Sequence, residues 1–269
     1  MSTAIEDLPI GILDSGLGGL SVAKAIREAL PYENFIYAAD CGFAPWGDRD
    51  NAFILSRLDT LVDFLLHQPI KALVLACNTA TTVGIHHLRQ RLSLPIIGIE
   101  PAVLPAARAT TTHVIATMAT VKTLHTERYL ALKAQASALG ASVIDIPCPG
   151  LMECVEAGQF DAPHTLSLIH RFLDPITQKS PVDHIVLGCT HYPFLTRQIQ
   201  SVAGETVTLI DPAPAVAKQL KHRLCEENLL NSSILPGLEH FYITRANAAH
   251  EQVLKTLWRT TSVVNNLRE

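Results

Sequence analysis

Two cysteines stand in matched surroundings. Residues 71–79 run Lys71-Ala-Leu-Val-Leu-Ala-Cys77-Asn78-Thr79, and residues 183–191 run Asp183-His-Ile-Val-Leu-Gly-Cys189-Thr190-His191. The pattern thus returns after 112 positions (189 − 77). Each copy is an apolar run closed by a small residue, a cysteine and polar residues. A second echo follows each copy: Gly98-Ile-Glu100-Pro101-Ala102-Val103 after the first and Leu209-Ile-Asp211-Pro212 after the second. Two related half-molecules would each present one thiol at the end of a buried strand. Thiols on opposite sides of a small molecule suit one chemistry: removing a proton from one face of a carbon and returning one to the other. A single buried cysteine is commonly just a small apolar residue. The matched contexts favour chemistry here, because a helix N-terminus favours the thiolate and its N–H groups hold carboxylates. Asn78, Thr79 and Thr190 fit that holding role.

Asp14 and Ser15 open Asp14-Ser-Gly-Leu-Gly-Gly19, where glycines let the backbone come close to a ligand. The stretch lacks the Lys-Ser/Thr of a phosphate loop and the spacing of a dinucleotide fingerprint. Asp14 either caps the next helix or orients a base. Ser15 would contact a substrate amine or carboxylate. His191 relays a proton of Cys189 if it faces a cleft, and is a hydrogen-bonded core residue if it faces inward. Cys189 and His191 could form one edge of a metal site, but no matching half lies nearby, so no metal is expected.

These residues need a frame to hold them. Strands are expected at 10–14, 34–40, 72–76, 95–99, 112–116, 142–146, 185–187 and 206–210. Helices are expected at about 20–30, 52–66, 79–92, 121–139 and 167–176, with another after Pro193. Such alternation implies mostly parallel sheets with helices on both faces, binding ligands at the strand carboxyl ends. Asp14, Asp40, Cys77, Thr117 and Cys189 all fall at or just past those ends. The repeat suggests an α/β domain of residues 1–97 completed by the returning segment 211–269, and a second α/β domain of residues 98–210.

The chain has 269 residues, of which 48% are hydrophobic, and a net charge of −4. No basic block stands out, which argues against nucleic acid as the main ligand. No apolar stretch approaches the ~20 residues of a membrane span. The N-terminus, Met1-Ser-Thr-Ala-Ile-Glu-Asp7, lacks the basic-then-apolar order of a secretory signal. None of the six cysteines forms a C-x-x-C pair, so free thiols in a cytoplasmic protein are expected.

Residues 9–19, Ala76-Cys-Asn-Thr79, Gly188-Cys-Thr-His-Tyr-Pro193 and the loop Ala44-Pro-Trp-Gly47 together resemble the glutamate racemases of the cofactor-independent aspartate/glutamate racemase superfamily. Ile99-Glu-Pro101, Cys148-Pro149 with Val155-Glu156, and Leu209-Ile-Asp211 add to the likeness, which spans most of the chain. The resemblance implies two pseudo-symmetric flavodoxin-like domains with the active site between them. It implies Cys77 and Cys189 as the catalytic acid/base pair, the former serving D-glutamate and the latter L-glutamate. Asp14 and His191 would assist them, and Glu156 would be an auxiliary acid. Asp14, Ser15, Pro45, Gly47, Asn78, Thr79, Thr120 and Thr190 match substrate-contacting positions, with Trp46 and Thr117 in the same loops.

No cofactor is implied, and homodimers that supply D-glutamate for peptidoglycan are common in the family. Some members bind DNA gyrase, but no feature here, such as a long extra N-terminal segment, argues for that. Trp46 stands where the family usually has Tyr, and Asp40-Cys-Gly-Phe-Ala44 also departs from its common wording. Both changes are expected at the mouth of the cleft. The enzymatic alternative is a relative acting on aspartate, a hydantoin or another small acid.

Overall fold

Strand β1 (Ile10–Asp14) is buried along its whole length, as befits a central strand of a parallel sheet covered on both faces. The computed structural model to which it belongs describes residues 4–258 and 264–267, so the first three residues of the N-terminal segment lie outside it. After β1 come α1 (Leu20–Ala29), β2 (Phe35–Ala39), α2 (Asn51–Leu66), β3 (Ala72–Leu75), α3 (Asn78–Arg91) and β4 (Ile96–Gly98). Next are α4 (Val103–Ala109), β5 (Val114–Ala119), α5 (Val121–Leu124), α6 (Glu127–Ala138), β6 (Ser142–Pro147), α7 (Leu151–Glu156), α8 (Pro163–Thr177), β7 (His184–Leu187), α9 (Thr196–Ala203) and β8 (Thr208–Ile210). The chain closes with α10 (Ala213–Glu226), β9 (Glu239–Thr244), α11 (Ala248–Trp258) and β10 (Val264–Leu267).

The chain divides into two units, residues 1–99 with 213–269, and residues 100–212. The first holds a six-stranded sheet in the order β10-β9-β2-β1-β3-β4, parallel throughout. Leu13, Leu73 and Leu75 of its central strands pack with Ile54, Leu58 and Leu61 of α2 and Ile85 and Leu88 of α3. Helix α2 starts where the Asp50 carboxylate accepts the Phe53 N–H at 2.7 Å, a side-chain N-cap. The returning segment packs α10 against α1 and adds β9 beside β2.

The second unit holds a four-stranded parallel sheet in the order β6-β5-β7-β8. One apolar cluster joins Met118, Ile185 and Leu187 to Leu151, Ile169 and Ile199 of α7, α8 and α9. The other joins Ile115 and Val186 to Val103 and Tyr129 of α4 and α6. The sheet is therefore covered on both faces.

Numbered within its own unit, each sheet contains the order 2-1-3-4. Strand order reverses between the first and third strands, and such switch points are where open α/β sheets bind ligands. In the first unit the point lies between β1 and β3, in the second between β5 and β7.

Several local expectations need correction. The fifth strand is Val114–Ala119, not 112–116. The threonines before it are occupied elsewhere, because Asp183 accepts hydrogen bonds from the Thr110 hydroxyl, the Thr111 N–H and hydroxyl, and the Thr112 N–H. Thr117 accordingly sits inside β5, fully buried and beside the Tyr129 phenol, instead of just past the strand end. The expected helix 121–139 is broken in two, with the Thr126 hydroxyl capping α6 by accepting the Tyr129 N–H. Short α4 and α7 had no sequence forecast. Among the described residues, no helix is long and apolar enough to cross a membrane.

Candidate active site

In the first unit, β1 delivers Asp14 and β3 delivers Cys77 to the switch point. Asp14 is fully buried, and its Oδ2 accepts the N–H groups of Gly16 (3.2 Å) and Gly19 (2.9 Å). Gly19 is the N-cap of α1, so the carboxylate does fix the start of that helix. A Cβ on Gly19 would lie 2.6 Å from the Asp14 Cβ and 3.0 Å from the Ala76 Cβ. Neither neighbour is a flexible chain end. Gly19→Ala is therefore expected to cost about 1–3 kcal/mol, the usual scale of overpacking. Urea unfolding would show this as a lower midpoint at unchanged slope, and an unchanged midpoint would contradict the tight fit.

Cys77 is itself the N-cap of α3, and its sulfur accepts the Ala80 N–H at 3.4 Å. The Ser15 hydroxyl lies 3.5 Å from the same sulfur. A helix N-terminal N–H aimed at sulfur favours negative charge there. Asn78 and Thr79 form the first turn of α3 and are buried. Neither polar atom of the Asn78 amide has a hydrogen-bond partner among the described residues. Burying an unpaired amide is costly, and a polar ligand at this turn would remove that cost.

The loop after β2 carries Pro45, Trp46 and Gly47. Pro45, after a cis Ala44–Pro45 bond, and Gly47 are partly exposed. Trp46, by contrast, is only 1% exposed and packs in the core cluster that includes Leu13 and Cys77. The expectation of Trp46 at a cleft mouth is thus corrected. Its indole N–H donates to Asp40 Oδ2 at 3.2 Å, and a buried carboxylate needs such donors. Asp40 also takes both arms of the Arg57 guanidinium, at 2.9 and 2.8 Å. Arg57 lies 17 positions away on α2 and is a residue that sequence reasoning overlooked.

In the second unit, β7 leads through Gly188 to Cys189, Thr190 and His191. The Gly188 N–H donates to the Met118 carbonyl at 2.7 Å, carrying the sheet one residue beyond β7. A Cβ on Gly188 would lie 2.8 Å from that carbonyl oxygen, so only glycine allows this close approach. His191 Nδ1 is 3.5 Å from the Cys189 sulfur and 3.5 Å from the Thr190 hydroxyl. His191 Nε2 is 2.6 Å from Glu156 Oε1, on the last residue of α7. Thiol, imidazole and carboxylate thus form a continuous chain. His191 is buried and hydrogen-bonded, as the inward alternative requires, and its ring also reaches the Cys189 sulfur. Thr120 lies just past β5, where its hydroxyl caps α5 and donates to the Thr123 hydroxyl at 3.0 Å.

Charge in this half-site is set by competing effects. Burial alone would lower the His191 pKa, but Cys189 and Glu156 outweigh it and hold the imidazole well above 6.5. The protonated form of His191 is thereby favoured. The raised folded-state pKa adds stability that is whole below the ordinary imidazole value of 6.5 and is lost only above it, as pH rises through the higher folded-state pKa. Glu156→Gln removes one anion, so His191 is expected to titrate at lower pH than in the parent protein. An NMR titration of the imidazole would read this shift, and an unmoved midpoint would contradict the coupling of Glu156 to His191. Cys148, just past β6, is a second buried thiol; burial and then the charge of Cys189 push it far up, so it stays a neutral neighbour. Among the described residues, no group of three or more His, Cys, Asp or Glu is placed to hold a metal ion.

Each unit therefore carries one cysteine at its switch point, in the company of hydroxyls and N–H groups. A sequence profile described as Asp/Glu/Hydantoin racemase matches residues 25–220. The chain is 46% identical over 227 residues to a glutamate racemase from Pseudomonas syringae pv. tomato, which covers 84% of this chain and 82% of that relative. Among solved structures, a glutamate racemase isoform from Bacillus anthracis superposes with a TM-score of 0.89 at 32% identity, covering 98% of both chains. The Escherichia coli glutamate racemase, solved in complex with L-glutamate and the activator UDP-MurNAc-ala, gives 0.86 at 31% identity, covering 97% of this chain and 98% of that one.

Proposed function

The chain belongs to the glutamate racemases of the Asp/Glu/Hydantoin racemase family, and from that premise we propose that it interconverts L- and D-glutamate by moving a proton at Cα between Cys77 and Cys189, without a cofactor. The observation that carries the reading is the equivalent placement of the two thiols, each at the switch point of a sheet ordered 2-1-3-4. One thiolate takes the Cα proton, and the electron pair is left on the carbon and its carboxylate. The other sulfur, still a thiol, gives its proton to the opposite face. The sulfurs exchange protonation states in the process, so the reverse reaction runs with the roles swapped.

The carbanion is the costly species, and preorganised donors in a dry site are what stabilise such charge. The Asn78 amide and the hydroxyls of Ser15, Thr79, Thr120 and Thr190 are suited to hold the substrate. Pro45 and Gly47 extend the contact set, while Asp14 fixes the Ser15 turn. The two thiols are prepared differently. Cys77 is served by neutral groups, the Ser15 hydroxyl and the donating Ala80 N–H. Cys189 is served by an imidazole whose charge Glu156 supports. In this reading Cys77 acts on D-glutamate and Cys189 on L-glutamate.

A reducing cytoplasm suits an enzyme whose two working thiols must stay unoxidised. There the product would serve peptidoglycan synthesis. The family resemblance also supports a homodimer, which light scattering would test. Function itself is tested by chiral chromatography on a panel of L-glutamate, L-aspartate and a hydantoin, with no added cofactor. D-Glutamate alone should form. Turnover of aspartate or the hydantoin with glutamate inert would assign the chain to another branch of the family.

A further inference from the structure

The returning C-terminal segment does more than widen the first sheet. Because β9 pairs with β2 in parallel, with Ala39 opposite Ile243, its end lies beside the start of the Pro45–Gly47 loop. Thr244, at that end, donates its hydroxyl to Asp40 Oδ1 at 3.0 Å and accepts the Gly42 N–H at 3.0 Å. The next residue, Arg245, donates to the Gly42 carbonyl at 3.4 Å. Its guanidinium lies 4.2 Å from the centre of the Phe43 ring, and that of Arg57 lies 3.6 Å from the same ring. Phe43 is thus held by two cations, each attracted by the face of its ring. A Cβ on Gly42 would sit 2.8 Å from the Arg245 side chain, so the glycine is what lets the arginine lie across the loop.

We infer that Arg245, acting through Gly42 and Phe43, is a positioning residue that sets where Pro45 and Gly47 meet the substrate. The inference rests on the glutamate racemase reading. It adds a substrate-affinity determinant from a segment far in sequence from every other site residue. Arg245 is itself exposed, so its replacement removes the clamp without opening the core.

The test is steady-state kinetics with both enantiomers of glutamate on Arg245→Ala, Phe43→Leu and the double variant, with melting temperature recorded for each. A misplaced binding loop weakens substrate and transition state alike, so KM is expected to rise about tenfold with kcat within about twofold. Residues that act as one clamp are non-additive, so the double variant should be no worse than either single one. Phe43→Tyr keeps the ring and should keep the parent KM. An unchanged KM in Arg245→Ala, additive effects, or a fall in kcat that tracks melting temperature would each overturn the inference. A parent protein inert on glutamate but active on another substrate of the panel would instead overturn the functional reading on which it rests.

Discussion

Alanine at Cys77 or at Cys189 is expected to lower racemisation in both directions by about 10²–10⁴-fold, the scale of a lost general acid or base. The two losses should look alike in a racemisation assay, because each direction needs both sulfurs. They should differ in isotope exchange. With Cys189 gone, Cys77 can still remove and return the Cα hydrogen of D-glutamate from one face, exchanging it with solvent but not inverting the carbon. With Cys77 gone, the same residual exchange should appear for L-glutamate. Chiral chromatography and proton NMR on each variant read the two outcomes separately. Full racemase activity in either variant would remove that cysteine from the chemistry.

Loss of Arg57 is expected to be a large blow to stability. The Asp40–Arg57 pair is deeply buried, with side-chain exposures of 0% and 9%. Asp40 is held by four donors, two from Arg57 and one each from Trp46 and Thr244. Arg57→Ala leaves the carboxylate with half of them and no counter-charge, a change that costs about 3–5 kcal/mol in comparable buried pairs. Removing both charges, as in Asp40→Leu with Arg57→Met, should cost less than Arg57→Ala alone, since no unpaired charge remains. Urea denaturation of the single and double variants measures both values. A loss below about 1 kcal/mol for Arg57→Ala, the scale of an exposed pair, would contradict the burial argument.

What could be read from the chain beforehand was what repeats or alternates. Cys77 and Cys189 were visible because two sheets of the same order place their cysteines at the same point, and a shared position leaves a shared wording. Strands β1 and β3 were visible because covered strands are apolar throughout. Thr117 was misplaced because the strand boundary depends on Asp183, whose grip on Thr110–Thr112 comes from about 70 positions away. Trp46 reads as a rim residue in the sequence because its partner, the Asp40–Arg57 pair, joins a loop to a helix and has no local signature. Thr244 and Arg245 were out of reach for the same reason: they meet the loop across more than 200 positions. The contact between Cys189 and His191 was readable at a spacing of two residues. Glu156 has no such local signal; it lies 35 positions away, and only α7 brings its carboxylate to 2.6 Å from the ring.

In the proposed reaction the Cα proton of glutamate moves between two sulfurs without help from a cofactor. Proton NMR of the purified protein with L-glutamate in heavy water, coupled to a chiral assay, tests it most directly. The Cα signal is expected to disappear while D-glutamate accumulates, with solvent deuterium in the product. A folded protein that leaves the Cα signal of glutamate untouched would contradict it.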